Sequence, residues 1–120
     1  MAYLNACHRG LAYGDGYLQG NGTKGQFVSV CGDDLFKVNT DPTAVSFGML
    51  INDYNAGEMP GIFTGGGIYE TDVFEGTVVP GDQLKISTNG ILTAGVSGSD
   101  RAVAQAISVR GSILKFRLYN

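Results

Sequence analysis

Gly81-Asp82-Gln83-Leu84-Lys85-Ile86-Ser87-Thr88-Asn89-Gly90-Ile91-Leu92-Thr93 is the stretch whose reading decides the fold. Leu84 and Ile86 alternate with Gln83 and Lys85, which is the period-2 pattern of a strand with one buried and one wet face. Asn89-Gly90 separates this run from Ile91-Leu92. An Asn-Gly pair between apolar runs is a strong hairpin signal, because both residues tolerate positive φ. The stretch predicts a β-hairpin.

The same hairpin is spelled earlier in the chain. Gly25-Gln26-Phe27-Val28-Ser29-Val30-Cys31-Gly32-Asp33-Asp34-Leu35-Phe36-Lys37 aligns with it at an offset of 56, so that Val28 and Val30 fall on Leu84 and Ile86 and Leu35-Phe36 falls on Ile91-Leu92. A polar loop follows in each copy, then a longer run, Ala44 to Ile51 and Ala102 to Val109. At an offset of 58, Val45, Phe47, Met49 and Ile51 match Val103, Gln105, Ile107 and Val109. Taken alone, 102–107 scores as a short Ala-rich helix capped by Ser99 or Asp100. The matched first copy carries β-branched and aromatic residues and Gly48, which favours a strand for both. Each copy closes on one more strand, 68–74 and 112–119. In the latter, Leu114, Phe116 and Leu118 share one face and Lys115 and Arg117 the other. The expectation is an all-β fold, a small barrel or sandwich, with pseudo-repeats at about 25–74 and 81–119 inside one domain spanning 25–120.

Composition narrows the function. A chain of 120 residues is one domain's worth. With 43% hydrophobic and 16% charged residues it can fill a core and does not read as disordered. Nineteen Gly against three Pro, with no G-X-Y period, assigns the glycines to turns and excludes collagen. Eight Lys plus Arg against eleven Asp plus Glu, a net charge of −3, cannot make the basic footprint of a nucleic-acid binder. No run approaches the roughly 18 apolar residues of a membrane span, and Met1 to Arg9 lacks the basic-then-apolar order of a secretory signal. Synthesis in the cytoplasm, with no membrane partner, is expected.

Motifs for chemistry are weak. Gly20-Asn21-Gly22-Thr23-Lys24-Gly25 spells G-x-G-x-x-G, but a strand follows it where a dinucleotide site needs a helix, and no Ser or Thr follows Lys24 as a Walker loop requires. Cys7 and Cys31 have no CxxC or zinc spacing and read as free thiols. Cys7 beside the single histidine, His8, invites a thiol–imidazole pair, yet neighbours on an extended chain point to opposite faces. Asp33-Asp34 and the trio Glu70, Asp72 and Glu75 could be imagined as a sugar-hydrolase pair or a calcium site, but the accompanying groups are missing. Asn21-Gly22-Thr23 is a glycosylation sequon by spelling. No enzyme, cofactor or metal is expected.

Residues 1–24 lie outside both copies and mix Gly with Tyr3, Tyr13 and Tyr17 without a sustained period. Gly supplies freedom and Tyr supplies contact area, so the segment reads as an extended arm that orders against a partner, through Tyr3, Leu4, His8, Arg9, Tyr13, Tyr17 and Leu18. On that reading its removal leaves the domain folded. The alternative is an edge strand and loop packed on its own domain. A Gly-rich insertion in the first copy, about 55–67, adds a second candidate contact through Met59, Pro60, Ile62 and Phe63.

The second half, from Tyr69-Glu70-Thr71-Asp72-Val73-Phe74 through Pro80-Gly81-Asp82, Asn89-Gly90-Ile91-Leu92-Thr93 and Ala102-Val103-Ala104 to Leu114-Lys115-Phe116-Arg117-Leu118, resembles small tailed-bacteriophage virion proteins, above all head decoration, or cement, proteins. The resemblance covers roughly 69–119; residues 1–67 are not matched. It implies a tulip-like β domain, homotrimeric, seated on the outside of the head in the virion, where it ties major capsid protein subunits together. A tail or baseplate component with the same domain, and a small glycan-binding β module, are the alternatives.

Overall fold

The apolar runs read from the sequence are realised as strands in both halves of the chain. A computed structural model describing residues 2–119 carries ten strands and no helix among those residues: β1 (Leu4–Gly14), β2 (Tyr17–Leu18), β3 (Phe27–Gly32), β4 (Leu35–Val38), β5 (Gly48–Leu50), β6 (Gly61–Thr71), β7 (Gln83–Ile86), β8 (Leu92–Thr93), β9 (Ala104–Arg110) and β10 (Ile113–Leu118). The Asn89-Gly90 turn closes β7 on β8. Gly90 takes φ +76° and its amide donates to the Ser87 carbonyl at 3.0 Å, while the Ser87 amide donates to Ile91 at 2.8 Å. In the first copy the turn is Asp33-Asp34. Asp34 sits at φ +51°, a left-handed position that Asp and Asn accept at low cost.

The sheet order displays the duplication. Neighbours run β2-β4-β3-β5-β6-β10-β9-β7-β8, so once β2 is set aside the order within each half reads outward in the same way from a central antiparallel pair, β6 and β10. Register agrees. Ser29↔Lys37 and Val30↔Phe36 recur as Lys85↔Thr93 and Ile86↔Leu92, and Phe27↔Met49 and Val28↔Gly48 recur as Gln83↔Gln105 and Leu84↔Ala104. All of these lie at an offset of 56. The third strands were expected at 58, and pairing moves them by two residues, so that Met49 corresponds to Gln105 and not to Ile107. The closing strands move further. Met49↔Phe63 and Leu50↔Ile62 recur as Gln105↔Arg117 and Ala106↔Phe116, which matches β10 to the start of β6 instead of to 68–74. The first correction is an even shift, which leaves every side chain on its face and is therefore invisible to a period-2 pattern.

The sheet is open between β2 and β8 and does not close into a barrel; its halves pack as a sandwich. Phe27 and Met49 from the first half meet Leu84, Ile86, Leu92, Ala104, Leu114, Phe116 and Leu118 from the second, with Phe63 and Tyr69 of β6 between them. A second cluster covers the other face of the first half: Leu18, Val28, Phe36, Leu50 and Ile62, flanked by Tyr13, Phe47 and Tyr54.

The N-terminal segment is extended, but as part of the sheet. β1 pairs antiparallel with β6 from Leu4↔Thr71 to Gly14↔Gly61, Leu4 and Ala6 pack on the main core, and Leu18 is 1% exposed in the second cluster. The edge-strand alternative replaces the free arm. Its period was illegible because the register slips twice, between Ala6 and His8 and between Leu11 and Ala12, and each bulge resets the alternation. Glycine is required where the two strands approach. A Cβ on Gly10 would strike the Gly65 carbonyl oxygen; one on Gly67, at φ +86°, would lie 2.5 Å from the Gly10 nitrogen.

Three outcomes are expected in equilibrium unfolding. Deleting residues 1–20 removes β1, β2 and a core leucine, and cooperative melting is lost. Gly67→Ala combines a left-handed backbone with a backbone clash and destabilises by more than about 2 kcal/mol. Phe116→Ala empties a fully buried ring position and costs about 3–5 kcal/mol.

Candidate interaction surface

The residues suggestive of chemistry are dispersed by the fold into structural tasks. Gly22 exchanges backbone hydrogen bonds with Tyr54, both at 2.9 Å, and the Lys24 amide donates to Asp53 Oδ1 at 2.8 Å, so the G-x-G-x-x-G segment is stitched to the loop before β6. Glu70 accepts from Asn5, Asp72 accepts from the Tyr3 amide and Glu75 accepts from Asn89, each on its own partner. Burial, then the neighbouring Glu70, pushes the half-buried Cys7 thiol above its ordinary value, which is the opposite of an activated nucleophile. Among the described residues no three His, Cys, Asp or Glu side chains gather as a metal site.

The contact residues proposed from sequence divide into three groups. Leu18, Pro60, Ile62 and Phe63 are buried in the chain's own core and present nothing to a partner. Leu4 and Tyr13 are half-buried. Tyr13 makes edge-to-face contacts with Phe36 and Phe47 at centroid distances of 5.9 and 5.3 Å, and its hydroxyl donates to Asp34 Oδ1 at 2.6 Å. Tyr3, His8, Arg9, Tyr17 and Met59 are exposed. Arg9 lies with its guanidinium 5.8 Å from the Phe63 ring centroid.

Sequence reasoning passed over the most pronounced apolar feature. Val30, Val45, Ser46, Phe47 and Thr64 line a surface recess of about 490 Å³. Val30 and Val45 are 56% and 64% exposed. Phe47, part of its lining, lies tilted against Phe36 with ring centroids 4.9 Å apart, which joins the recess to the Tyr13–Phe36–Phe47 cluster. Val30 shares a face with buried Val28 but reaches beyond the side chains that cover it. Alternation assigns that face; only the extent of the cover decides that Val30 stays bare.

Tyr13 supplies a pH signature for this region. The hydrogen bond to Asp34, then desolvation and the charge of Asp34 and Asp15, push its phenol up to about 12. A folded-state value above the unfolded one, ordinarily about 10, contributes stability that is complete below pH about 10 and is lost as pH rises through about 12. In an alkaline titration followed by phenolate absorbance and melting temperature, Tyr13→Phe is expected to remove the phenol ionising near 12 and to flatten that loss.

No protein-family model and no curated protein matches the chain. Among solved structures, the N base of the head fiber gp8.5 of bacteriophage phi29 is similar, with a TM-score of 0.63 at 13% sequence identity over 90% of this chain and 92% of that chain. The two chains share a fold over nearly their whole lengths.

Proposed function

We propose that this protein is a structural component of a bacteriophage head, a decoration protein that seats on the outside of the shell and bridges neighbouring major capsid protein subunits. The observation that carries this reading is the shared fold with a head-fiber base over nine-tenths of both chains. The second-half resemblance to head decoration proteins agrees with it. The role is mechanical and asks no catalytic group of the chain. Its contact surface is the apolar recess of Val30, Val45 and Phe47, with Tyr17 and Met59 as further exposed anchors. Exposed apolar side chains backed by an aromatic cluster contribute burial on docking.

One such recess is a small interface and binds weakly on its own. Three copies joined as a homotrimer and presented to a regular lattice gain effective concentration, which raises avidity by about 10²–10⁴ without new contacts. Pelleting the purified protein with bare expanded heads tests the reading. Wild-type protein is expected to co-sediment, and Val45→Lys, which changes an exposed side chain and leaves melting unaltered, to reduce the bound fraction at least about tenfold. Wild-type protein that stays in the supernatant at saturating concentration overturns the assignment. Light scattering at the same concentrations is expected to give three times the chain mass; a monomer removes the avidity argument.

A further inference from the structure

A second recess, of about 310 Å³, lies away from the apolar one and is walled by Tyr3, Glu70, Ser108, Arg110, Ile113 and Lys115. A polar row crosses four strands at this recess. Asn5 pairs with Glu70, Glu70 with Lys115 and Lys115 with Ser108, taking in β1, β6, β10 and β9 in turn. The chain carries a net charge of −3, yet Arg110 and Lys115 both line this recess outside any ion pair; the salt bridge among the described residues is Lys85–Asp100 at 2.8 Å. Tyr3 is pinned through its backbone: its amide donates to Asp72 Oδ1 at 2.7 Å, and its carbonyl accepts from Thr71 Oγ1 at 2.8 Å and from the Asp72 amide at 3.3 Å. The residue nevertheless remains 41% exposed. An aromatic ring, two cations, a carboxylate and a hydroxyl thus converge on rigid strands.

We propose that this recess binds a single acidic sugar residue, a carboxylate-bearing pyranose such as a uronic or sialic acid. The ligand's carboxylate meets Arg110, whose planar fork suits it, and Lys115, which adds a point charge. Its ring hydroxyls donate to Glu70 and accept from Ser108, and its C–H face lies on Tyr3. Glu70 makes the discrimination. A bare inorganic anion would be repelled by that carboxylate, whereas a sugar brings it hydroxyl donors in addition to the Asn5 amide it already accepts.

The site goes beyond shell binding, and its test is independent of the pelleting experiment, so either reading can fail alone. The full chain, isotopically labelled, is titrated by NMR with glucuronic acid and N-acetylneuraminic acid, and with glucose and acetate as comparisons. Amide signals of Tyr3, Ser108 and Lys115 are expected to shift and saturate with at least one acidic sugar, at a Kd on the order of millimolar, as suits a pocket for one ring. Glucose and acetate should bind at least about tenfold more weakly. Arg110→Gln and Lys115→Met, both solvent-facing changes that leave the melting temperature in place, should each weaken the acidic sugar by about fivefold or more. Shifts that never saturate, acetate matching glucuronic acid, or full affinity in both variants would overturn the proposal.

Discussion

The close approach of β1 and β6 is the constraint on which the rest of the structure depends. β6 is bordered by β1 along its whole length, by β5 at its start and by β10 at its end. Residues on one strand thereby belong to both halves of the sandwich. Gly10 and Gly67 allow the two backbones to come together, and the Tyr69 hydroxyl accepts the Gly10 amide at 3.1 Å. Tyr69 in turn lies against Phe63 and Phe116, at centroid distances of 4.7 and 5.8 Å, so the strand crossing is tied directly to the aromatic centre of the core.

From that junction the duplicated halves spread in the same strand order, and their roles diverge. The first half is covered on both faces, by the second half on one side and by Leu18, Tyr13 and Tyr54 on the other. The second half carries Lys115 and Ser108 on its outer face, in a row with Glu70 of β6. An apolar recess on one half and a charged one on the other follow from this asymmetry. The proposed docking and sugar-binding surfaces are consequences of how each copy of the repeat is covered.

Which of the named side chains reach the surface was only partly legible beforehand. Tyr3, Tyr17 and Met59 were named from the sequence and are exposed, whereas Leu18, Ile62 and Phe63 were named alongside them and are buried. Local sequence cannot separate these sets, because an apolar side chain in a Gly-rich stretch looks the same whether or not another strand covers it. Val30, Val45 and Phe47 went unnamed for the converse reason: their alternation reads as core, and the cover ends before reaching Val30 and Val45.

Taken by itself, the amino-acid order determined what short-range chemistry controls: strand in place of helix even in the Ala-rich 104–110 segment, the turns at Asp33-Asp34 and Asn89-Gly90, the buried face of Leu114, Phe116 and Leu118, and the presence of two related halves. Tertiary pairing alone decided the rest. It chose the registers, since shifts of two residues preserve every face; it drew the N-terminal segment into the sheet through a doubly bulged strand; and it closed the halves as a sandwich instead of a barrel. These outcomes depend on contacts between residues far apart along the chain, whose energies no local pattern records.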